Sequence, residues 1–147
     1  MTPLRVVLDT NVVLDAFVFG NTGVQPVIRA IESGVVRWLG CAQMRAELAH
    51  VLVHARLGDR QIDAEHVLTS WDALSQPAAL EPILPTLRLR CTDASDQMFI
   101  DLALAQHARW LLTRDRALLK LARKAALLGL LIQPPEAWKA PTPQPLS

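Results

Sequence analysis

Two cysteines, no tyrosine, three phenylalanines and a net charge of +1 set the first bounds on this 147-residue chain. Cys41 and Cys91 stand in no CxxC or Cys/His spacing, which argues against a zinc site, and two isolated cysteines make no disulfide framework. Both read as small buried apolar residues. With the charge near zero, no global field advertises a nucleic-acid or membrane partner, so any such signal must come from local patches. Aromatics make up 5% of the chain, too few for an evident base-stacking platform. Trp38, Trp71 and Trp110 read as core or half-buried residues. His50 and His54 are four apart on one helix, but no third ligand is suitably spaced, and His66 and His107 are remote; no histidine metal site is expected. No apolar run approaches the roughly 18 residues of a membrane span. The N-terminus also lacks the basic segment and apolar run of a signal peptide. The expectation is a soluble, cytoplasmic protein with no membrane partner.

The chain is 51% hydrophobic and 20% charged, an ordinary globular composition. Its length suits one domain with a sizeable core. Residues 4–9, LRVVLD, read as a buried parallel strand. They feed a helix over 11–19, closed by Gly20, Asn21 and Gly23. A helix over 24–34 and a strand over 35–40 follow. Residues 42–58 carry apolar side chains at 44, 48, 51, 52 and 55, a helical stripe. Another helix spans 62–77, and "LRLR" at 87–90 is a short strand candidate. A capped apolar helix covers 93–108, a strand 109–113, a helix 114–127 and a last strand 129–134. The chain from Pro134 onward holds five of the ten prolines and reads as extended or disordered. Alternating strands and helices imply an α/β fold, a three-layer α/β/α sandwich with a central parallel sheet. The domain is expected over 1–134, with a Pro-rich tail over 135–147.

Four regions then place acids where such a sheet gathers its ligands, beyond the carboxyl ends of the strands. Asp9 closes the first strand, Asp115 follows the fourth, and Asp93 and Asp96 open the helix between. Glu47 shares a helix face with Met44 and Val51, and an acid on an apolar stripe needs a partner or a cation. Arg45 and Arg56 are poorly placed to meet it. Each acid also has a plainer reading: Asp9, Asp93 and Asp115 as helix caps, Asp96 as a first-turn charge, Glu47 as half of a distant ion pair. Clustered acids repel and raise one another's pKa unless a cation sits among them. Mg²⁺ or Mn²⁺ prefers such oxygen donors, activates water and neutralises phosphate charge. Phosphodiester hydrolysis is the chemistry suggested.

In "VVLDTNVVLDAF" (6–17), "AELAHVL" (46–52) and "DASDQMFIDLALAQHARWLLTRDRALLKL" (93–121), taken in that order, the chain resembles PIN-domain nucleases. The likeness runs over roughly residues 4–134 and is closest to PIN proteins that serve as toxins of toxin–antitoxin pairs. It implies cleavage of single-stranded RNA by metal-activated water, with Asp9, Glu47, Asp96 and Asp115 as catalytic and metal-binding residues and Asp93 as a helper. Many members carry an acid where this chain has Gln97, which the resemblance leaves as a neutral oxygen or the holder of a metal-bound water. Asn11 and Thr113 match positions that support the acids by hydrogen bonds, while Thr10 serves the turn.

An RNA substrate needs cations outside the acidic centre. Arg116, Lys120, Arg123 and Lys124 fall at i, i+4, i+7 and i+8 of one helix, with Arg114 beside them, either as a phosphate-binding face or as a solvated one. Apolar surface on the helices over 24–34 and 42–74 suits a homodimer or a bound antitoxin. Two other functions compete. A Mg²⁺-dependent phosphatase of the haloacid dehalogenase type would need a second Asp where Asn11 stands. A non-catalytic PIN-fold binding module is the reading that Gln97 keeps open.

Overall fold

The computed structural model describes residues 3–54 and 63–141. Five strands form one sheet: β1 (Leu4–Leu8), β2 (Val36–Gly40), β3 (Ser75–Pro77), β4 (Trp110–Leu112) and β5 (Leu131–Gln133), in the order β3-β2-β1-β4-β5 with every pairing parallel. Among the described residues seven helices alternate with them: α1 (Thr10–Phe17), α2 (Gln25–Glu32), α3 (Ala42–His54), α4 (Ala64–Leu74), α5 (Gln97–Ala105), α6 (Arg116–Leu119) and α7 (Ala122–Leu127). This is the α/β sandwich expected from the pattern. Val6, Val7 and Leu8 are buried because β1 is central and flanked on both sides, which is why it reads as a continuous apolar run. From β1 the chain steps outward to β2 and β3, then returns to build β4 and β5 on the other side. The crevice where strand order reverses lies between β1 and β4, at their carboxyl ends.

Packing beneath the sheet is dominated by tryptophan. Trp38 on β2 stacks with Phe17 at 6.3 Å and meets Trp71 edge-on at 5.9 Å between ring centroids. Gly40, at the end of β2, lies against the Trp71 ring; a Cβ there would overlap that ring and sit 2.7 Å from Cη2. Gly40→Ala is therefore expected to cost about 1–3 kcal/mol as overpacking, read as a lower urea midpoint at unchanged m value. An unchanged midpoint would mean that Trp71 has room to move aside.

Several expected elements differ. Residues 87–90 form no strand; the outer strand is Ser75–Pro77, at the end of the expected 62–77 helix. Three residues are too few to show a period, and a proline is tolerated at a sheet edge. The 114–127 helix is two helices broken at Lys120–Leu121, so Arg116 and Lys120 do not share one continuous face with Arg123 and Lys124. The domain also runs past Pro134: Pro135–Ala137 forms a 3₁₀ turn and Trp138 is buried edge-on against Trp110. The outer part of the expected tail, 142–147, lies outside the described residues, as do Arg56 and the end of the 42–58 helix. Among the described residues of the 24–34 and 42–74 helices, Val53 is the large apolar side chain that is strongly exposed. No described helix is long and apolar enough to cross a membrane.

Candidate active site

Asp9 follows β1 directly and is 3% exposed. Its Oδ1 accepts from the Val12 amide at 2.9 Å and so caps α1, while Oδ2 accepts from the Thr113 hydroxyl. One carboxylate thus both caps α1 and lines the acidic pocket. Burial pushes its pKa up to about 6, against the pull of the Thr113 and Val12 hydrogen bonds; the charges of Asp115 and Asp15 add to the rise. Thr113, fully buried after β4, also accepts from the Asp115 amide at 3.0 Å and ties the ends of the two central strands together.

Asp115 caps α6 through the Ala117 amide at 2.8 Å. Asp96 ends a 3₁₀ turn, Ala94–Asp96, that leads into α5. Its pKa is raised to about 7 by burial, by contact with the Asp115 carboxyl, and by the charges of Asp115, Asp93 and Asp9. Two carboxyls this close must share a proton or a cation. Asp96 Oδ2 is buried with no hydrogen-bond donor among the described residues. Glu47 reaches in from α3, its Oε2 accepting from Thr10 Oγ1 at 3.1 Å. Burial raises its pKa first, with Thr10 opposing and the charge of Asp93 adding.

Asp9, Glu47, Asp96 and Asp115 line one pocket of about 80 Å³ together with Thr10 and Asn11. Asp93, Asp96 and Asp115 each offer an oxygen within 4.8 Å of the others. Asp93 is exposed at the rim and holds its turn through Ser95 N at 3.0 Å and Ser95 Oγ at 2.6 Å. An all-oxygen set with an orphaned buried carboxylate oxygen fits Mg²⁺ or Mn²⁺.

Other expected site residues sit differently. Asn11 is exposed at the pocket and donates no hydrogen bond to the acids among the described residues. Thr10, assigned to the turn, is the group that holds Glu47; a hydroxyl beside Asp9 in "DTN" was the available signal. Gln97 turns its amide to the backbone. Its Oε1 accepts from Cys91 N at 2.8 Å, and Nε2 donates to Leu89 O at 2.8 Å and Asp101 Oδ1 at 3.0 Å. Arg114 is engaged with Asp15 at 2.8 Å and with Glu136, stitching α1 to the C-terminal turn, so it does not face outward as expected of a phosphate contact. Arg45 forms a bidentate pair with Asp72. Arg116, Lys120 and Arg123 are exposed. Cys41 is buried and Cys91 half-buried, both as free thiols.

A family model described as PIN domain matches residues 5–117. The chain is similar in fold to VapBC2 from Rickettsia felis, solved bound to a DNA fragment from their promoter. That match has a TM-score of 0.62 and 13% identity, and it covers 92% of this chain and 100% of that one. No curated protein matches the sequence significantly.

Proposed function

Since this chain belongs to the PIN domain family, we propose that it is a metal-dependent endoribonuclease that hydrolyses phosphodiester bonds of single-stranded RNA, as the toxin of a toxin–antitoxin pair. The observation that carries the reading is the convergence of Asp9, Glu47, Asp96 and Asp115, from four separate stretches of chain, on one small pocket. Those four acids would hold Mg²⁺ or Mn²⁺, with Asp93 assisting at the rim. The bound ion supplies a water activated for attack and a counter-charge for the phosphate. Thr113 orients Asp9 and Thr10 orients Glu47, so the carboxylates are aimed before metal arrives. Asp96, held largely protonated by burial and by the Asp115 carboxyl beside it, would have to ionise to serve as a ligand.

The likeness to a VapBC structure supports a cognate antitoxin as partner, and a homodimer is the proposed assembly. A non-catalytic PIN-fold binding module is the second reading, because the Gln97 amide is committed to structure and supplies no acid at that position. The direct test is cleavage of mixed single-stranded RNA with Mg²⁺ or Mn²⁺ and with EDTA. Cutting that EDTA leaves intact would sink the proposal.

A pH dependence follows. Asp9 and Asp96 titrate near 6 and 7 in the fold, against 3.8 as the ordinary value. The native state therefore holds more protons than the unfolded chain between about pH 4 and 7, and the metal-free protein loses stability as pH rises through that window. Metal needs the ionised acids, so its affinity rises across the same range. At a hundredfold excess over Kd, Mn²⁺ is expected to raise Tm by about 5 °C or more at pH 8. At pH 5.5 the rise should be much smaller. Equal shifts at both pH values would refute metal binding at these carboxylates.

A further inference from the structure

The "LRLR" stretch at 87–90 has no part in the site so far. From Arg88 to Cys91 burial alternates: Leu89 and Cys91 pack against the core while Arg88 and Arg90 are exposed, as Leu87 before them is, the pattern of an extended segment with successive side chains on opposite sides. Arg88 and Arg90 therefore share a side. Both line an open cleft of about 380 Å³ with Cys91, Ala94 and Gln97, within the range of ligand-sized clefts, about 300–1,000 Å³.

This cleft adjoins the acidic pocket. Ala94 and Gln97 belong to the turn that carries Asp93 and Asp96. The Cys91 thiol, raised first by burial, also feels the charges of Asp96, Asp115 and Asp93. Gln97 grips the backbone on both sides of Arg90, at Leu89 O and Cys91 N. That grip needs a donor and an acceptor on one side chain, which an amide provides and a carboxylate does not. Arg88 is held by Asp101 at 3.3 and 3.1 Å. Arg90 has no ion-pair partner among the described residues.

We propose that this cleft seats a backbone phosphate of the RNA strand beside the one being cut, with Arg90 as its direct contact and Arg88, held by Asp101, as a fixed positive charge beside it. The inference rests on the nuclease reading and deepens it. An acidic pocket repels a polyanion, so cations fixed at its edge must hold the strand. Guanidinium suits a phosphate because it donates two parallel hydrogen bonds.

The test uses full-length Asp9→Asn protein, which should leave RNA uncut, and fluorescence anisotropy of a labelled single-stranded RNA oligonucleotide. Adding Arg90→Gln should weaken binding about tenfold and flatten the dependence of log Kd on log salt by about 0.7. Arg90→Lys should retain most of the affinity. Arg29→Gln, an exposed α2 arginine outside the cleft, should leave it unchanged. Arg90→Gln binding as tightly as the parent, or Arg29→Gln weakening it as much, overturns the inference. If the unsubstituted chain still cuts RNA in that case, the nuclease reading stands alone. If the parent binds no RNA and the unsubstituted chain cuts none, both fall.

Discussion

Asp9→Asn should lower metal-dependent RNA cleavage by on the order of a thousandfold, the loss expected when several kcal/mol of metal-assisted transition-state stabilisation disappears. Asparagine keeps the shape and can still accept from Val12 N, and its amide can donate to Thr113 Oγ1 where the carboxylate accepted. The charge is lost, and with it the acceptor for the buried Thr113 hydroxyl proton. Without metal the same substitution should stabilise the fold, because a carboxylate that is 3% exposed and pushed up to about 6 is costly to ionise there. Opposite signs for activity and stability are the signature of a site residue, and thermal melts in EDTA at pH 8 beside cleavage rates will read both. Asp96→Asn should behave alike, since its buried Oδ2 lacks a donor. Cleavage within tenfold of the unsubstituted protein in either variant would remove these acids from the mechanism.

The largest loss of stability is expected from Trp38→Ala. This ring is 1% exposed, stacked with Phe17 and edge-on to Trp71, on a strand paired with both β1 and β3. Truncation removes contacts on all these sides and leaves a cavity, at a cost of about 3–5 kcal/mol. That is a large share of the roughly 5–15 kcal/mol available to a domain. Trp38→Phe, which keeps an aromatic face, should lose less than half as much. Urea unfolding will measure both, and a Trp38→Ala cost below about 1 kcal/mol would show that the site collapses around the gap.

Residues 4–9 and 109–113 were legible as strands because Val6, Val7 and Leu8 and Trp110, Leu111 and Leu112 at their centres are buried on both faces, which leaves a short apolar run in the chain itself. Asp9 and Asp115 were legible for a related reason: a charge at the end of such a run has few places to go but the carboxyl edge of the sheet. Ser75–Pro77 was not legible. A three-residue outer strand is defined by the backbone of β2 beside it, and its own side chains carry no period. Gln97 shows the same limit at the site. The PIN resemblance, in which many members carry an acid at this position, gave it a neutral oxygen for the site, yet its amide is spent on Leu89 and Cys91, whose nearness only folding creates. Arg114 reads locally as one of a basic group, but its partners Asp15 and Glu136 come from opposite ends of the chain.

The sequence by itself determined the α/β class, the positions along the chain of four of the five strands and the acids that follow two of them, because burial periodicity and helix capping act within a few residues. Only the tertiary structure decided which polar groups meet: that Thr10 holds Glu47, Thr113 holds Asp9, Asp96 faces Asp115, and Gln97 is committed elsewhere. Hydrogen bonds and charge pairs are short-ranged, so their partners are set by which distant segments the packed core brings within about 3 Å of one another.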